Sequence, residues 1–333
     1  MATIEQWRDD ALERLRGRRS QLVGRARLGL KPPRRDRTAI VTDSSAALHP
    51  VILSHPFAAG IRQVPLPVMV GEVIHAEGEA ELAGELPLAL AAGTPVRTSR
   101  PSPGAFRAVY AELARAGYAR ILSVHLSGAI SGTVESARLA AQESERPVTV
   151  VDSRSAGFAL GTAVLDAAVD AGLGRPLEEI VARATATAAQ SHVLFTVPNL
   201  EQLRRGGRIS AMSSLLGTLL QVRPVLELQD GAIGLVDRTR HPAKALDRLV
   251  ELAAERAGHV PVRVAVHGYG DDVGAAQLVE RLQPLSATPV PVIELPAVLA
   301  AHLGLGALGV TVTPLEVDLT ATGGVDGGGP AAD

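Results

Sequence analysis

Between residues 37 and 172 the chain alternates short apolar runs with amphipathic helices, and that alternation limits the fold more than any other feature. RTAIVTD, ARILSVH and PVTVVDS read as buried strands. PGAFRAVYAELARAG, SGTVESARLAAQES and SAGFALGTAVLDAAVDAG read as the helices between and after them, the last ended by Gly172. Strands linked through helices lie parallel in one sheet with the helices packed on its faces. In such sheets ligands sit at the carboxyl ends of the strands. Three strands here end in a polar step, TDSS at 42–45, HLSG at 125–128 and DSRS at 152–155, so topology gathers them on one rim.

A second α/β unit begins near Pro176. LEEIVARATATAAQ is a helix and HVLFTV a strand, and RPVLELQDGAIGLVDRTR reads as two strands joined at Asp230-Gly231, a strong hairpin signal. PVRVAVHGYG, PVPVIEL and GALGVTVTP follow as strands. The 333 residues exceed what one core usually carries. The organisation expected is an α/β protein with a parallel-sheet N-terminal lobe over 39–175, a second α/β lobe over 176–320 and a ligand cleft between them. Residues 1–38 form a basic extension, and the Gly-rich residues 321–333 read as a disordered tail.

Composition narrows the partners. Aromatic residues make up 2% of the chain against 46% hydrophobic, so the interior is built from Leu, Val, Ile and Ala. That argues against stacked bases or an aromatic cage for a quaternary amine and suits a long aliphatic ligand. A net charge of −2 supplies no global attraction for nucleic acid. The absence of cysteine removes disulfides, thiolate metal sites and cysteine nucleophiles. No run has the length of a membrane span or the apolar core of a signal peptide, so a cytoplasmic protein with at most transient membrane-surface contact is expected. In the extension, Ile4, Trp7, Ala11, Leu12 and Leu15 fall at helical spacing before arginines take over. A basic arm for nucleic acid or anionic lipid is one reading. A solvated extension ending in a Pro-Pro linker is preferred, because the arm lacks interleaved aromatics.

The segment LSVHLSGAISGTVESARLA places Ser127, Ser131 and Thr133, with Gly128 and Gly132 between them, at the mouth of a helix. A helix N-terminus has unpartnered amides and favours an anion. Capping accounts for one hydroxyl and three are present. GGRIS at 206–210 stops a helix and puts Arg208, followed by Ser210, on a turn from which its guanidinium projects outward toward a partner, or else bonds helix-end carbonyls. The nine histidines form no tight metal pair. His267 ends a strand and is ranked above a purely structural histidine, whereas His302 in AHLGLGALG is read only as a helix-to-loop histidine. Asp43 and Asp152 stand at strand ends where aspartates cap helices, and a catalytic carboxylate pair is not required by their spacing. Nucleotide-phosphate and hydrolase signatures are missing.

Taken in order, IVTDSSAAL (40–48), TSRPSPGAF (98–106), HLSGAISGTVESARLA (125–140), VVDSRSAGFALG (150–161), LEQLRRGGRIS (200–210), LLQVRPVLELQDGAIGLVDRTR (219–240) and AHLGLGALGV (301–310) resemble the DegV family. The resemblance implies a two-lobed fold that binds one long-chain fatty acid and no other cofactor. It also implies a lipid-binding carrier subunit, not itself an enzyme, that presents the carboxylate to a separate ATP-dependent fatty acid kinase in phospholipid metabolism and carries the acyl phosphate. By the same resemblance Thr98, Ser99, Ser131 and His267 hold the carboxylate, and Arg208 and Arg240 serve phosphoryl transfer or partner contact. Two positions depart from the family pattern: Gly128 stands where a second serine is common, and Leu303 and Leu305 replace a small residue and a proline. The rival reading is a stand-alone α/β hydrolase or transferase working in the same cleft through Asp43 or Asp152.

Overall fold

The computed structural model describes residues 4–10, 12, 13, 33, 36–209 and 222–319. The readings made on Ser210, on the tail 321–333 and on most of the basic stretch lie outside the described residues. Residues 4–10 and 12–13 are helical (α1). The first lobe then runs β1 (Thr38–Asp43), α2 (Pro50–Leu53), β2 (Ile61–Val64), β3 (Pro67–Val70), β4 (Val73–Ala76), α3 (Ala80–Ala92), β5 (Val96–Thr98), α4 (Pro103–Arg115), β6 (Arg120–His125), α5 (Thr133–Ala141), β7 (Val148–Asp152) and α6 (Gly157–Gly172). The second runs α7 (Leu177–Ala189), β8 (His192–Thr196), α8 (Glu201–Arg205), β9 (Arg223–Gln229), β10 (Ala232–Thr239), α9 (Pro242–Ala257), β11 (Val262–Tyr269), α10 (Asp272–Leu282), β12 (Val292–Glu294), α11 (Ala297–Leu303) and β13 (Ala307–Pro314).

The parallel sheet expected from the alternation is present, in the order β2-β1-β6-β7. All six residues of β1 are buried, as a continuous apolar run covered on both faces requires. Helix α4 starts where Ser102 accepts a hydrogen bond from the Ala105 amide and Pro103 takes the first helical position, whose amide would have no partner. Residues 67–98 hold what the sequence reading did not resolve: β3, β4 and β5 form a small antiparallel sheet, β4-β3-β5. The second lobe is a six-stranded mixed sheet, β10-β9-β8-β13-β11-β12, in which only β11 and β12 pair in parallel.

The two sheet units are packed on each other. One apolar cluster runs from Ile40 and Leu122 in the first lobe to Phe195, Leu226 and Ala265 in the second. Twelve of the sixteen residues of α6 are buried, so this helix serves as core for both lobes. The β9–β10 turn also crosses over. Asp230 and Gly231 have φ of 50° and 83°, the left-handed pair of a tight hairpin. The Ser127 hydroxyl donates to the Gly231 carbonyl at 2.7 Å, and the Arg154 guanidinium donates to the Asp230 carbonyl at 3.0 Å. A side chain at Gly231 would collide with the Ser127 oxygen, so the glycine is required by contact as well as by φ. Arg263 of β11 forks onto Asp166 of α6 at 2.9 and 2.8 Å, a second latch between the lobes.

The extension is not wholly solvated. Trp7 is 6% exposed and belongs to the same apolar cluster, with Ile4 packed beside it. Among the described residues no helix is long and apolar enough to cross a membrane.

Candidate functional site

A cavity lies between the lobes, lined by residues of both. Its walls come from the carboxyl ends of the first sheet, as the topology predicts. Leu126 and Ser131 follow β6, and Ala156 and Gly157 follow β7. The second lobe contributes Phe195, Leu228 and Ile233 from its sheet and a face of α11. Leucine, isoleucine and valine dominate the lining and Phe195 is its one aromatic residue, so most of the cavity offers nothing to a polar group.

Polar side chains gather at one end. Thr98 closes β5, a strand held by its pairing with β3, and Ser99 follows at the mouth with its amide bonded to the Pro67 carbonyl. Thr98 Oγ1 lies 2.7 Å from His302 Nε2. His302 sits on α11 one turn after Val298, on the face that also presents Leu299 and Leu303 to the cavity. Gly206, at the end of α8, leaves room for the His302 ring, since a Cβ there would overlap Nδ1. Burial and the nearby positive charge of Arg208 hold the His302 pKa down to about 4, so its imidazole is neutral at pH 7. Helix α11 has no capping side chain of its own. Glu77, after β4, supplies the cap by accepting from the Ala297 and Val298 amides at 2.7 and 2.9 Å. The small antiparallel sheet thus fixes the cavity wall in place.

Arg208 faces inward, which corrects the outward projection expected of it. The Gly207 turn carries the chain back toward α8, with the Arg208 amide bonded to the Leu203 carbonyl. The half-buried guanidinium donates to the Ile130 carbonyl at 3.0 Å across the lobe boundary and to the Gly206 carbonyl at 2.5 Å. It thus bonds a helix-end carbonyl and lines the cavity at once. Among the described residues no carboxylate pairs with it. Burial lowers its pKa, but a guanidinium remains charged at neutral pH, so the polar end carries a cation that has no counter-ion among the described residues.

The three hydroxyls of the 127–133 loop separate. Ser131 lines the cavity, and its Oγ accepts from the Thr133 amide at 3.3 Å and bonds the Thr133 hydroxyl at 2.8 Å. Thr133 therefore orients Ser131, and Ser127 belongs to the interlobe latch. At Gly128 the amide donates to both carboxylate oxygens of Asp152 at 3.1 Å, and a Cβ would stand 2.7 Å from one of them. A serine at 128 has no room while that clamp holds.

His267 borders the cavity but cannot hold a carboxylate as expected. Its Nε2 accepts from the Phe158 amide at 3.0 Å, which puts the proton on Nδ1, and Nδ1 donates to the Ile293 carbonyl at 3.1 Å. Complete burial pulls its pKa down to about 4. Nε2 ties β11 to α6, and Nδ1 ties it to β12. Arg240 is elsewhere altogether. It follows the last residue of β10, seven residues beyond Ile233, or about 23 Å along an extended strand. It lines a separate, open depression with Arg238, His241 and Lys244.

The carboxylates of the rival reading also have structural partners. Asp43 accepts from the Ser45 and Leu126 amides and pairs with His125 Nδ1 at 3.0 Å. His125 Nε2 lies 2.7 Å from Ser123 Oγ, which in turn lies 2.9 Å from the Tyr110 hydroxyl. The order Ser–His–Asp mimics a hydrolase triad, yet Asp43, Ser123 and His125 are all at 0% exposure, with Phe106 edge-on to the imidazole. No substrate reaches that serine. Asp152 is bound to the Gly128 and Arg154 amides. Among the described residues no group of three or more metal-ligating side chains is assembled.

The family described as "Uncharacterised protein, DegV family" matches residues 37–315. A DegV domain-containing protein of Streptomyces coelicolor is 41% identical over 277 residues, 83% of this chain and 98% of that protein. One from Deinococcus radiodurans is 37% identical over 84% of this chain and 99% of its own. Among solved structures, a DegV family protein from Thermus thermophilus described by its fatty acid binding superposes with a TM-score of 0.78 at 35% identity, covering 84% of this chain and all of that one. DegV of Bacillus subtilis, described as a fatty acid binding protein, superposes with a TM-score of 0.72 at 30% identity over 84% and 99%.

Proposed function

The chain belongs to the DegV family, and from that premise we propose that it holds one long-chain fatty acid in the interlobe cavity, carboxylate at the Arg208 end and acyl chain along the leucine-rich walls. The observation that carries this reading is Arg208 itself: a half-buried cation with no carboxylate partner among the described residues, beside Thr98, Ser131 and His302, at the polar end of an otherwise aliphatic cavity. A buried charge is tolerated when it is paired, and a fatty acid carboxylate supplies the missing partner. The hydroxyls of Thr98, Ser99 and Ser131 add donors without bulk. Each buried methylene contributes about 0.8 kcal/mol, so a sixteen-carbon tail brings on the order of 10 kcal/mol before the costs of association. Such a ligand leaves slowly. The fatty-acid binding described for the Thermus thermophilus and Bacillus subtilis relatives supports the same assignment.

The chain acts on this reading as a cytoplasmic carrier, with no chemistry of its own. It presents the carboxylate to an ATP-dependent fatty acid kinase, and Arg208 stands where charge develops as the phosphoryl group arrives. Arg240 lies outside this arrangement and is left to partner contact. The test is mass spectrometry of the organic extract of protein purified from a bacterial host. Near-stoichiometric fatty acid is expected. An extract without it, together with no uptake of added palmitate or oleate, overturns the reading. Kinase-dependent ATP consumption by loaded Arg208→Ala, with affinity measured alongside, separates transfer from binding.

A further inference from the structure

The family match begins at residue 37, and the Streptomyces and Deinococcus relatives are covered almost completely by 83–84% of this chain. Helix α1 is therefore an addition to the matched fold. It is nevertheless docked. Trp7, the single tryptophan of the chain, is 6% exposed, and its ring meets Phe158 edge-on, with centroids 5.1 Å apart and planes at 73°. That is a favoured geometry for aromatic pairs. Ile4, one turn earlier, packs on the same apolar cluster.

Where this contact falls matters more than its area. Phe158 is the second residue of α6, directly after Ala156 and Gly157, which line the cavity. Its amide donates to His267 Nε2, and His267 lines the cavity too. Trp7 thus bears on a residue that joins the α6 end of the wall to the second lobe. Any opening of the wall that moves Phe158 must break its amide bond to His267 and unseat the tryptophan. Local opening of this kind is how a ligand enclosed by two lobes escapes.

Resting on the fatty-acid reading above, we propose that α1 is a brace, and that Trp7 is a positioning residue acting through Phe158 to hold the Ala156–Gly157 wall closed on the acyl chain. Docking of α1 and occupancy of the cavity are then coupled through affinity, and the coupling is reciprocal: a brace that strengthens ligand binding, and thereby slows release, is itself docked more tightly when ligand is bound.

The single tryptophan makes this measurable in the full-length chain. Protein stripped of lipid and protein reloaded with palmitate are compared by tryptophan emission and by acrylamide quenching. A blue shift and at least twofold weaker quenching are expected on loading. Release of a fluorescent fatty acid is then timed from wild type, Trp7→Ala and Trp7→Phe. About tenfold faster release is expected from the alanine variant, within the 5- to 150-fold span of typical coupling. Release within twofold of wild type is expected from the phenylalanine variant, which keeps the edge contact. Unchanged emission and quenching, or wild-type release from Trp7→Ala, overturns the brace. So does equal loss of melting temperature in both variants with release untouched. If Trp7→Ala does not fold, wild-type quenching and Trp7→Phe decide. Wild-type protein that takes up no palmitate refutes the fatty-acid reading first, before any variant is made, and the brace falls with it.

Discussion

Thr98→Val is the perturbation that tests the polar end of the cavity most directly. The substitution keeps the branched shape and removes one hydroxyl, now 2.7 Å from His302 Nε2. Two effects follow, and they are read by different measurements. A fatty acid carboxylate loses one hydrogen bond, and a bond to a charged group contributes about 1.5–3 kcal/mol. At 1.4 kcal/mol per factor of ten, the dissociation constant rises about 10- to 150-fold. Separately, the part-buried His302 nitrogen loses its partner in the free protein as well as in the bound one. That costs about 1–3 kcal/mol of stability without entering the affinity ratio. It lowers the melting temperature by a few degrees, at about 2–4 °C per kcal/mol for a chain of this size. Displacement of a fluorescent fatty acid gives the first quantity, and thermal unfolding of stripped protein gives the second. Ser153→Ala is the control, since Ser153 Oγ serves only the Ser155 backbone and its loss is expected to shift affinity less than twofold. A Thr98→Val affinity within twofold of wild type refutes the placement of the carboxylate. An equal loss in Thr98→Val and Ser153→Ala assigns the effect to general loosening.

Two further outcomes rest on the fold. His267 and His302 are held neutral, each with a pKa near 4, whereas the unfolded side chains titrate near 6.5. Unfolding therefore takes up protons, and stability is full above about pH 6.5 and falls as pH drops toward 4. Melting curves at pH 7.5 and 5.0 show this, and His267→Gln flattens the difference; a wild-type midpoint that does not move refutes it. Gly161→Ala drives a Cβ into the Ala46 carbonyl, where α6 passes the 3-10 turn Ser44–Ala46, and backbone cannot yield as a side chain does. A loss of about 3 kcal/mol or more is expected by denaturant titration, and a wild-type midpoint refutes the close approach.

How much of the protein was legible follows from how far each signal reaches. The sequence alone determined what depends on neighbours within a few residues. The strand runs of β1, β6 and β7, the helices between them, the Asp230-Gly231 turn and the Ser102-Pro103 start of α4 all follow from periodicity and local backbone chemistry. The shortage of aromatic residues determined an aliphatic interior, which permits a long aliphatic ligand without showing one. The short strands β3, β4 and β5 escaped because three or four residues are too few to show a period, and β5 reaches β3 only across the long helix α3.

The site was legible only in part. Thr98, Ser131 and Arg208 were named from motifs, and the structure brings them together. His302 was passed over although Val298, Leu299, His302 and Leu303 fall on one helical face, a pattern visible in the sequence itself. His267 was preferred to it from its strand-end position, and nothing local reveals that the Phe158 amide, 109 residues away, occupies its free nitrogen. Tertiary structure alone decided which hydroxyl faces the cavity, which serine latches the lobes, and that Asp43, His125 and Ser123 form a sealed network. Each choice depends on which group arrives opposite, and that group comes from another lobe or another layer: Thr98 meets a histidine 204 residues further along the chain. A hydroxyl or an imidazole has the same chemistry wherever it stands; burial and the partner supplied by the fold determine whether that chemistry binds a ligand or holds the protein together.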